Sequence, residues 1–325
     1  MLVLVAAPEP HQLALKIAPC PAHPSFAYHW PVKPFDRQHP IRGAFGDPRT
    51  VSLDEQFGDT APGASGSYAF HTGVDIVAYN APVYPVVSGE VVKVDWHKID
   101  IFSSCGREFD YEHLIGNVVI GQHVRAGHTV LGWTHRPYNH VHLTEIDDGR
   151  HRIQNPLAPG HLEPYADHTT PRAIALDISN GDTPKLTQGG VVGKQDELAI
   201  DAVDAPAIPV PGPFAGKPQT PALVEWRLRS GRHWGAWHVS ADFRRTLPAT
   251  SFWNVYSAGT YQNFPGFEHR LFWGYSGRYL FRVSLDPSTL SPGAYELEAR
   301  VGDVGGNSST TTWPIEIRGP RSSAP

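Results

Sequence analysis

Four residues in two short segments have the types and the spacing of a metal site. His71 and Asp75 are separated by three residues, and His140 and His142 are separated by one. Residues two apart on an extended strand point to the same face, so one histidine of the second pair can bind a metal while the other lies beside it. A catalytic zinc ion takes about three protein ligands and keeps one position for water. These segments therefore predict a catalytic metal centre, with Gly73 allowing the chain to turn between the first two ligands.

The sequence around these residues resembles the lysostaphin/LytM-type zinc endopeptidases of bacterial cell walls. The resemblance is carried by residues 42–49, 111–114 and 121–132 together with the two histidine segments, and it covers roughly residues 39–157. It implies a small antiparallel β-sheet domain that binds one zinc ion per chain and hydrolyses peptide bonds. By the same resemblance, the substrate is a stem peptide or a cross-bridge of peptidoglycan.

The resemblance also implies a role for each candidate residue. His71, Asp75 and His142 match the family's three zinc ligands. His140 and His113 match the two histidines that flank the bound water, where one acts as general base and the other stabilises the oxyanion. We expect His140 to be the base, because its strand places it beside His142, although the sequence leaves the two roles interchangeable.

Three features of the sequence depart from the family pattern. The family has a long loop before the second histidine pair, whereas here only residues 133–139 occupy that place. The acid that usually follows the pair is displaced by one position to Glu145. Residues 51–68 and 95–109 are longer than the family needs. These changes fall in predicted substrate-groove loops, so the sequence does not specify which peptide bond is cleaved.

Three other functions compete with that of a peptidase. A catalytically silent cell-wall-binding or regulatory module would be marked by a lost ligand, and none is lost. A non-haem iron oxygenase uses two histidines and one carboxylate, but it usually separates histidine and acid by one residue, unlike His71 and Asp75. A lipoyl or biotinyl carrier domain shares the glycine-punctuated turn of residues 121–132, but it usually has methionines beside its lysine, and Met1 is the only methionine here.

The composition is that of a globular protein rich in turns. Of 325 residues, 40% are hydrophobic and 18% are charged, while glycine and proline number 31 each. This combination favours short strands joined by turns, so we predict an all-β protein. A net charge of −5 provides no basic face for nucleic acid, and no stretch reaches the roughly 18 apolar residues that span a bilayer. In the peptidase region, alternation predicts strands at 83–87, 90–94, 117–120 and 129–133.

The length and a change in texture predict two domains. After a proline-rich linker, alternating strands that include residues 197–203, 223–228, 279–285 and 295–301 favour a β-sandwich similar to bacterial immunoglobulin-like domains. We expect this sandwich to be non-catalytic, with its tryptophans mostly in the core. The predicted boundaries are an N-terminal extension at 1–29, the zinc peptidase domain at 30–157, a linker at 158–172, the immunoglobulin-like domain at 173–318 and a tail at 319–325.

The resemblance implies an extracellular or cell-wall-associated bacterial protein. The apolar run of residues 1–7 lacks the positive charges of a signal peptide, so the sequence shows no clear export signal. Cys20 and Cys105 are the only cysteines. Their spacing is compatible with one disulfide or with two buried thiols, and it does not match a metal site.

Overall fold

The computed structural model describes residues 27–50, 59–60, 67–136, 138–147, 149–179, 185–263 and 277–318. Nearly all regular structure within these ranges is β-strand, which confirms the all-β prediction. The extension up to residue 26, the tail from residue 319 and Cys20 lie outside the described residues, so the disulfide stays untested. Among the described residues, no helix is long and apolar enough to span a membrane.

The first half of the chain forms short strands joined by turns. In chain order they are β1 (Ile41–Gly43), β2 (Pro48–Arg49), β3 (Asp59–Thr60), β4 (Ser67–Phe70), β5 (Val74–Val77), β6 (Pro82–Val83), β7 (Gly89–Asp95), β8 (Lys98–Ser103), β9 (Arg107–Glu112), β10 (Leu114–Gly116), β11 (His123–Val124), β12 (Gly132–Thr134), β13 (His140–Asp147) and β14 (Arg152–Gln154).

One antiparallel sheet organises this half, with the strand order β1-β5-β13-β9-β8-β7-β11 and with β14 added to β13. Side chains alternate between its two faces because the period of a strand is two. One face is apolar and fully buried, and it includes Ile76, Ile101, Phe109 and Leu143. The other face presents charged and polar side chains, including those of β13 that the sequence assigns to the metal site. Below we call it the polar face.

Three sequence-based expectations about this half need correction. The stretch 95–109, predicted as a groove loop, contains all of β8 and the first half of β9, because its apolar residues alternate and bury against the core. Residues 117–120 form no strand, since Val119 and Ile120 are largely exposed and have no sheet face to cover. The strands predicted at 117–120 and 129–133 lie instead at β10 and β12, which pair with each other.

The second half contains longer strands and very little helix. The strands are β15 (Arg172–Ser179), β16 (Leu186–Thr187), β17 (Gly190–Val192), β18 (Glu197–Val203), β19 (Leu223–Ser230), β20 (His233–Trp234), β21 (His238–Asp242), β22 (Leu280–Val283), β23 (Gly293–Gly302) and β24 (Ser308–Ile317). Between them lie α1 (Phe252–Val255) and two 3₁₀ turns at Gly212–Phe214 and Pro287–Thr289.

These strands form two sheets that share an apolar core. One has the order β16-β15-β18-β22, and the other has the order β17-β24-β23-β19-β20 with β21 paired to β19. Ile200 and Phe281 of the first sheet and Trp226 and Trp313 of the second are almost completely buried. Trp234 is only half-buried, and the Arg227 guanidinium lies 4.5 Å from its ring centroid. The two tryptophans of β19 and β24 therefore fill the core, as expected, whereas Trp234 stacks on arginine at the surface.

Candidate metal centre

Three potential ligand atoms converge at one point on the polar face. His71 follows β4, Asp75 lies in β5 and His142 lies directly opposite Asp75 in β13. His71 Nε2 is 2.8 Å from His142 Nδ1 and 3.0 Å from Asp75 Oδ1, and His142 Nδ1 is 3.1 Å from the same oxygen. Donors of a tetrahedral zinc ion with bonds of about 2.0–2.1 Å lie about 3.3 Å apart. The cluster therefore matches the size of a zinc site to within a few tenths of an ångström.

The hydrogen bonds outside the cluster fix which nitrogen of each ring faces its centre. His71 Nδ1 is 2.7 Å from the carbonyl oxygen of Ala44, which only accepts, so this nitrogen carries the proton and Nε2 carries the lone pair. His142 Nε2 lies 2.8 Å from Thr144 Oγ1, which leaves Nδ1 to face the centre. Two imidazole lone pairs and a carboxylate oxygen pointing at one another repel unless a cation lies between them. This donor set fits a zinc ion.

His71 and Asp75 are in the ionisation states that a metal requires. Burial lowers the pKa of His71 to about 3, so its ring is neutral at neutral pH. Burial opposes the ionisation of Asp75, but the nearby histidines and Arg49 hold its pKa well below the ordinary value. Burial also acts against a charge on His142, yet its hydrogen bond with Asp75 and the charge of Glu112 raise its pKa overall. The centre thus favours a positive charge, which a proton or a metal can supply.

Two arginines hold the outer oxygen of the Asp75 carboxylate. Arg49 Nη2 donates to Asp75 Oδ2 at 3.0 Å, and Arg42 Nε lies 3.8 Å from the same oxygen. With Oδ2 engaged, Oδ1 is the oxygen that faces the histidines. A Cβ on Gly43 would lie 2.7 Å from both Arg49 Nη2 and Asp75 Oδ2, so only glycine leaves room for this pair. The sequence prediction did not include these arginines, although both lie in the segment 42–49 that carries part of the resemblance.

Gly73 was expected to allow a turn, but the structure gives a different reason for a glycine at this position. A Cβ at this position would lie 2.1 Å from the carbonyl oxygen of Leu143 in β13. Its φ angle is not in the left-handed region, so close packing of the segment between His71 and Asp75 against β13 explains the glycine better than a turn does.

His140 and His113 form a second pair of rings beside the three ligand atoms. His140 Nδ1 donates to the carbonyl oxygen of Tyr138 at 2.8 Å, so Nε2 carries the lone pair. This nitrogen accepts a hydrogen bond from Arg42 Nη2 at 3.3 Å and lies 3.4 Å from Asp75 Oδ1. The ring of His113 lies 4.5 Å from that of His140 and stacks at 4.2 Å on Tyr138. Burial lowers the pKa of both histidines, that of His113 to about 2. Both rings are therefore neutral at neutral pH, which is the state that accepts a proton.

The backbone has an uncommon conformation at His113 itself and at Asn139, the residue before His140. His113, between β9 and β10, has a φ of 67°, and Asn139, just before β13, has a φ of 54°. Non-glycine residues rarely adopt positive φ, and they keep it only where the surroundings hold them there. His135 N–H donates to the carbonyl oxygen of His113 at 2.8 Å, which is one of the contacts that does so.

Residues of the second half hydrogen-bond to the segment that orients His71. Asp47, which is 1% exposed, accepts the N–H of Ala44 on Oδ2 and the N–H of Thr220 on Oδ1, each at 2.8 Å. Ala44 in turn orients His71 through its carbonyl oxygen. The Tyr256 hydroxyl donates to the carbonyl oxygen of Gly46 at 2.9 Å. The second half therefore contacts the segment that holds the first ligand, which no local sequence signal indicated.

All five residues predicted from the sequence lie in this cluster, whereas the displaced acid does not. Glu145 is on the opposite, apolar face of β13 and is fully buried. Its Oε2 accepts a hydrogen bond from the Tyr28 hydroxyl at 2.6 Å and lies 2.7 Å from His161 Nδ1, and its Oε1 pairs with Arg107. A shift of one residue along a strand moves a side chain to the other face, so Glu145 has a structural contact in place of a role at the metal.

No sequence family profile matches the chain, and no curated protein sequence matches it. Several solved structures are similar to parts of it. The SpoIIQ–SpoIIIAH pore-forming complex is similar over 38% of this chain and 85% of its own, with 19% identity and a TM-score of 0.29. A zinc-containing peptidase from Vibrio cholerae is similar over 37% of this chain and 36% of its own, with 25% identity and a TM-score of 0.28. Lysostaphin is similar over 52% of this chain and 84% of its own, with 17% identity and a TM-score of 0.23. Because these scores are low, the functional argument rests on the geometry of the site.

Proposed function

We propose that this protein is a zinc-dependent metalloendopeptidase that hydrolyses peptide bonds in bacterial cell-wall peptides. The observation that supports this most directly is the convergence of His71 Nε2, His142 Nδ1 and Asp75 Oδ1 to within 2.8–3.1 Å of one another. Two neutral histidine rings, His140 and His113, lie beside them. Structural zinc sites use four protein ligands, whereas three ligands with acid–base groups beside them are typical of catalytic zinc.

The chain's own residues supply proton transfer and orientation in this mechanism. A bound zinc ion contributes a water of lowered pKa and a Lewis acid that polarises the peptide carbonyl. His140 holds its Nε2 lone pair toward the centre, so it accepts the proton of the attacking water and gives it to the leaving amine. His113, whose ring centroid lies 6.3 Å from that of His142, donates an N–H to the oxyanion that develops on the carbonyl. Arg49 keeps Asp75 ionised and correctly turned.

The second half is proposed to be a non-catalytic, immunoglobulin-like sandwich, beginning near residue 173, that supports the peptidase. Its two sheets with a common core are compatible with this arrangement. The proposed location is outside the cell or in the cell wall, where the substrate is found. The proposed cofactor is one zinc ion per chain.

A catalytically silent binding module with the same fold is the alternative function. The usual sign of such a module is a lost ligand, and His71, Asp75 and His142 are all present in this chain. The two functions differ in what they do to intact substrate, so hydrolysis decides between them.

The test is incubation of the zinc-loaded full chain with purified muropeptides from several cell-wall chemotypes, followed by mass spectrometry. We expect new amino termini in at least one chemotype and none with the matched His71→Ala variant. Stoichiometric zinc binding without a new amino terminus in any chemotype would establish the silent module instead.

A further inference from the structure

The polar face continues past the metal centre as a row of charged side chains. Asp75, His142, Glu112 and Lys98 lie directly opposite one another on the adjacent strands β5, β13, β9 and β8. Residues opposite each other in antiparallel strands point to the same face. Strands are about 4.8 Å apart, so β8 lies about 10 Å across the sheet from the ligand on β13. A peptide that crosses the sheet from the metal centre therefore reaches β8 within about three residues.

Next to this row lies an acidic cluster formed by Asp100, Glu108 and Asp110. Each offers a carboxylate oxygen, and these oxygens lie within 4.8 Å of one another. Asp100 on β8 is directly opposite Asp110 on β9, and the two residues are only 4% and 5% exposed. Like charges at opposite positions of an antiparallel pair destabilise the sheet, and burial increases the repulsion. Fold stability therefore does not explain why two carboxylates occupy these positions.

The cluster has more acceptors than the described residues satisfy. Lys98 Nζ donates to Asp110 Oδ2 at 2.7 Å and lies 3.6 Å from Asp100 Oδ1 and 3.5 Å from Glu112 Oε1. Among the described residues, Asp100 Oδ1 and Asp110 Oδ1 are closed to solvent and accept no hydrogen bond. The ammonium of Lys98 thus contacts three carboxylates. Burial and the charge of Asp110 raise the pKa of Asp100 to about 7, and Lys98 together with Lys93, which lies directly opposite Asp100 on β7, only partly offsets this rise. The cluster therefore has acceptor atoms for an ammonium group that Lys98 leaves unused.

The chemistry of the cluster favours an ammonium group over a metal ion. Lys98 shows that an –NH₃⁺ group fits against Asp100 and Asp110 at hydrogen-bond and ion-pair distances. Calcium needs six to eight oxygen ligands, roughly twice as many as three carboxylates offer when each gives one atom, and the backbone carbonyls of β8 and β9 are engaged in the sheet. The side chain of Lys98 is itself 27% exposed, so it can move outward and leave its position to another ammonium group.

We propose that Asp100 and Asp110 form a subsite for a primary ammonium group of the peptide substrate, which takes the place of Lys98 Nζ when the peptide lies across the polar face. This inference rests on the proposed peptidase function and deepens it, because it selects peptides with a basic side chain about three residues from the cleaved bond. The subsite lies at the stretch 95–109, where the sequence departs from the family pattern, because Asp100 falls within this stretch and Asp110 directly follows it. It is therefore a specificity feature of this chain.

The test measures peptide binding separately from hydrolysis. The zinc-loaded full chain carrying His140→Ala is titrated into fluorescein-labelled glycine–alanine heptapeptides that contain one lysine at each position in turn, and into the same peptides with Nε-acetyl-lysine. Fluorescence anisotropy should show that, at one lysine position, the free amine binds at least about tenfold more tightly than its acetylated counterpart, as loss of a charged hydrogen-bonded partner predicts. Wild-type protein is assayed for cleavage of the same peptides.

Two variants separate a binding role from a structural one. Asp100→Asn should abolish the preference for free lysine, leave the binding of the acetylated peptide unchanged and raise the melting temperature, because it removes a buried like-charge pair. Lys98→Gln should have the opposite effects. The preference for free lysine should become stronger, because the competing ammonium is gone, and the melting temperature should fall, because the charge that compensates Asp100 and Asp110 is gone as well. A purely structural ion pair predicts that both variants melt earlier and that neither changes the peptide preference.

The outcomes distinguish this inference from the proposed function. Equal binding of lysine and acetyl-lysine peptides at every position overturns the subsite, whether or not peptides are cleaved. A lysine preference that Asp100→Asn removes, without cleavage by wild-type protein, supports the subsite and counts against peptidase activity. Stabilisation by Ca²⁺ or Mg²⁺ that Asp100→Asn abolishes, without any lysine preference, assigns a metal ion to the cluster and also overturns the proposal.

Discussion

Asp75 and Asp100 are both buried carboxylates on the same face of the same sheet, yet their surroundings have opposite effects. Asp75 is contacted by Arg49 and by three histidines, and its pKa is held well below the ordinary value. Asp100 faces Asp110, and its pKa is raised to about 7 by burial and by that like charge, although the ammonium of Lys98 lies 3.6 Å away and Lys93 is directly opposite on β7.

The difference shows how one fold builds two kinds of cation site. Around Asp75, fixed positive charges and hydrogen bonds keep the carboxylate ionised and turn one oxygen toward two imidazole lone pairs, which suits a metal that stays in place. Around Asp100, the negative charge of the carboxylates is only partly compensated and the partner is the flexible side chain of Lys98, which suits a cation that binds reversibly. The comparison predicts that substitutions at the two carboxylates differ in kind as well as in size.

The largest expected effect is on metal binding at Asp75. Asp75→Ala removes a ligand and leaves the charges of Arg42 and Arg49 facing the site, so zinc affinity should fall by at least about a hundredfold. Asp100→Asn is the matched control on the same face, and because it lies away from the ligands its zinc affinity should stay within about twofold of the wild type. Competition with a chromophoric chelator measures both. Equal losses of zinc in the two variants would contradict the division between the sites.

The next effect separates ligands from acid–base groups. His140→Ala should keep zinc bound and lower the hydrolysis rate by about a hundredfold or more, the usual scale for a lost general base. His113→Ala should behave in the same way, whereas His142→Ala should lose zinc first. Zinc content and single-turnover rates on the same preparations check this. If His140→Ala loses zinc while His142→Ala keeps it, the assigned roles are reversed.

A smaller effect tests the support that the second half gives to the metal centre. Asp47 accepts two backbone N–H groups, one on each oxygen, and asparagine can accept only one of them. Asp47→Asn should therefore shift the Ala44 carbonyl that orients His71 and weaken zinc binding by about tenfold. Thr220→Ser is the control, because it keeps both the N–H that Asp47 accepts and the hydroxyl that contacts Tyr256. Chelator competition should show no change in zinc affinity for Thr220→Ser, and a weakening as large as that of Asp47→Asn would show that the carboxylate bridge is not the cause.

The smallest expected effect is on the pH dependence of stability. The pKa of Asp100 is raised from an ordinary value near 3.8 to about 7 in the folded protein. Between about pH 4 and pH 7 the unfolded chain is therefore ionised at this position while the folded chain keeps its proton, so this residue lowers stability as pH rises through that window. Asp100→Asn should remove this decline, and its advantage over the wild type should be largest above pH 7. Thermal melts from pH 4 to pH 8 measure it, and parallel curves for the two proteins would contradict the raised pKa.

The sequence predicted which residues converge at the candidate metal centre because their signal is local. His71 and Asp75 are four positions apart, His140 and His142 are two apart, and the alternation of β13 places the last two on one face. The all-β architecture followed from composition and short alternating segments in the same way. The partners of the ligands could not be predicted, since Asp47 and Thr220 are far apart in sequence and meet only through tertiary packing.

The stretch 95–109 shows a different kind of error. Ile99 and Ile101 alternate with Lys98 and Asp100, which is the pattern of a strand with one buried face, and the structure has β8 there. The prediction of a loop came from the comparison of lengths with the resembling family, and the local alternation was the better guide. The acidic cluster was missed with it, because two buried carboxylates opposite each other run against the usual preferences of strands.

The central claim is that His71, Asp75 and His142 bind one zinc ion, and metal analysis of purified full-length protein tests it most directly. Inductively coupled plasma mass spectrometry should find one zinc per chain in the wild type and none above background in His71→Ala, with circular dichroism confirming that the variant is folded. Stoichiometric zinc in folded His71→Ala would contradict the assignment. Iron in place of zinc, with consumption of oxygen, would show that the two-histidine, one-carboxylate set belongs to an oxygenase.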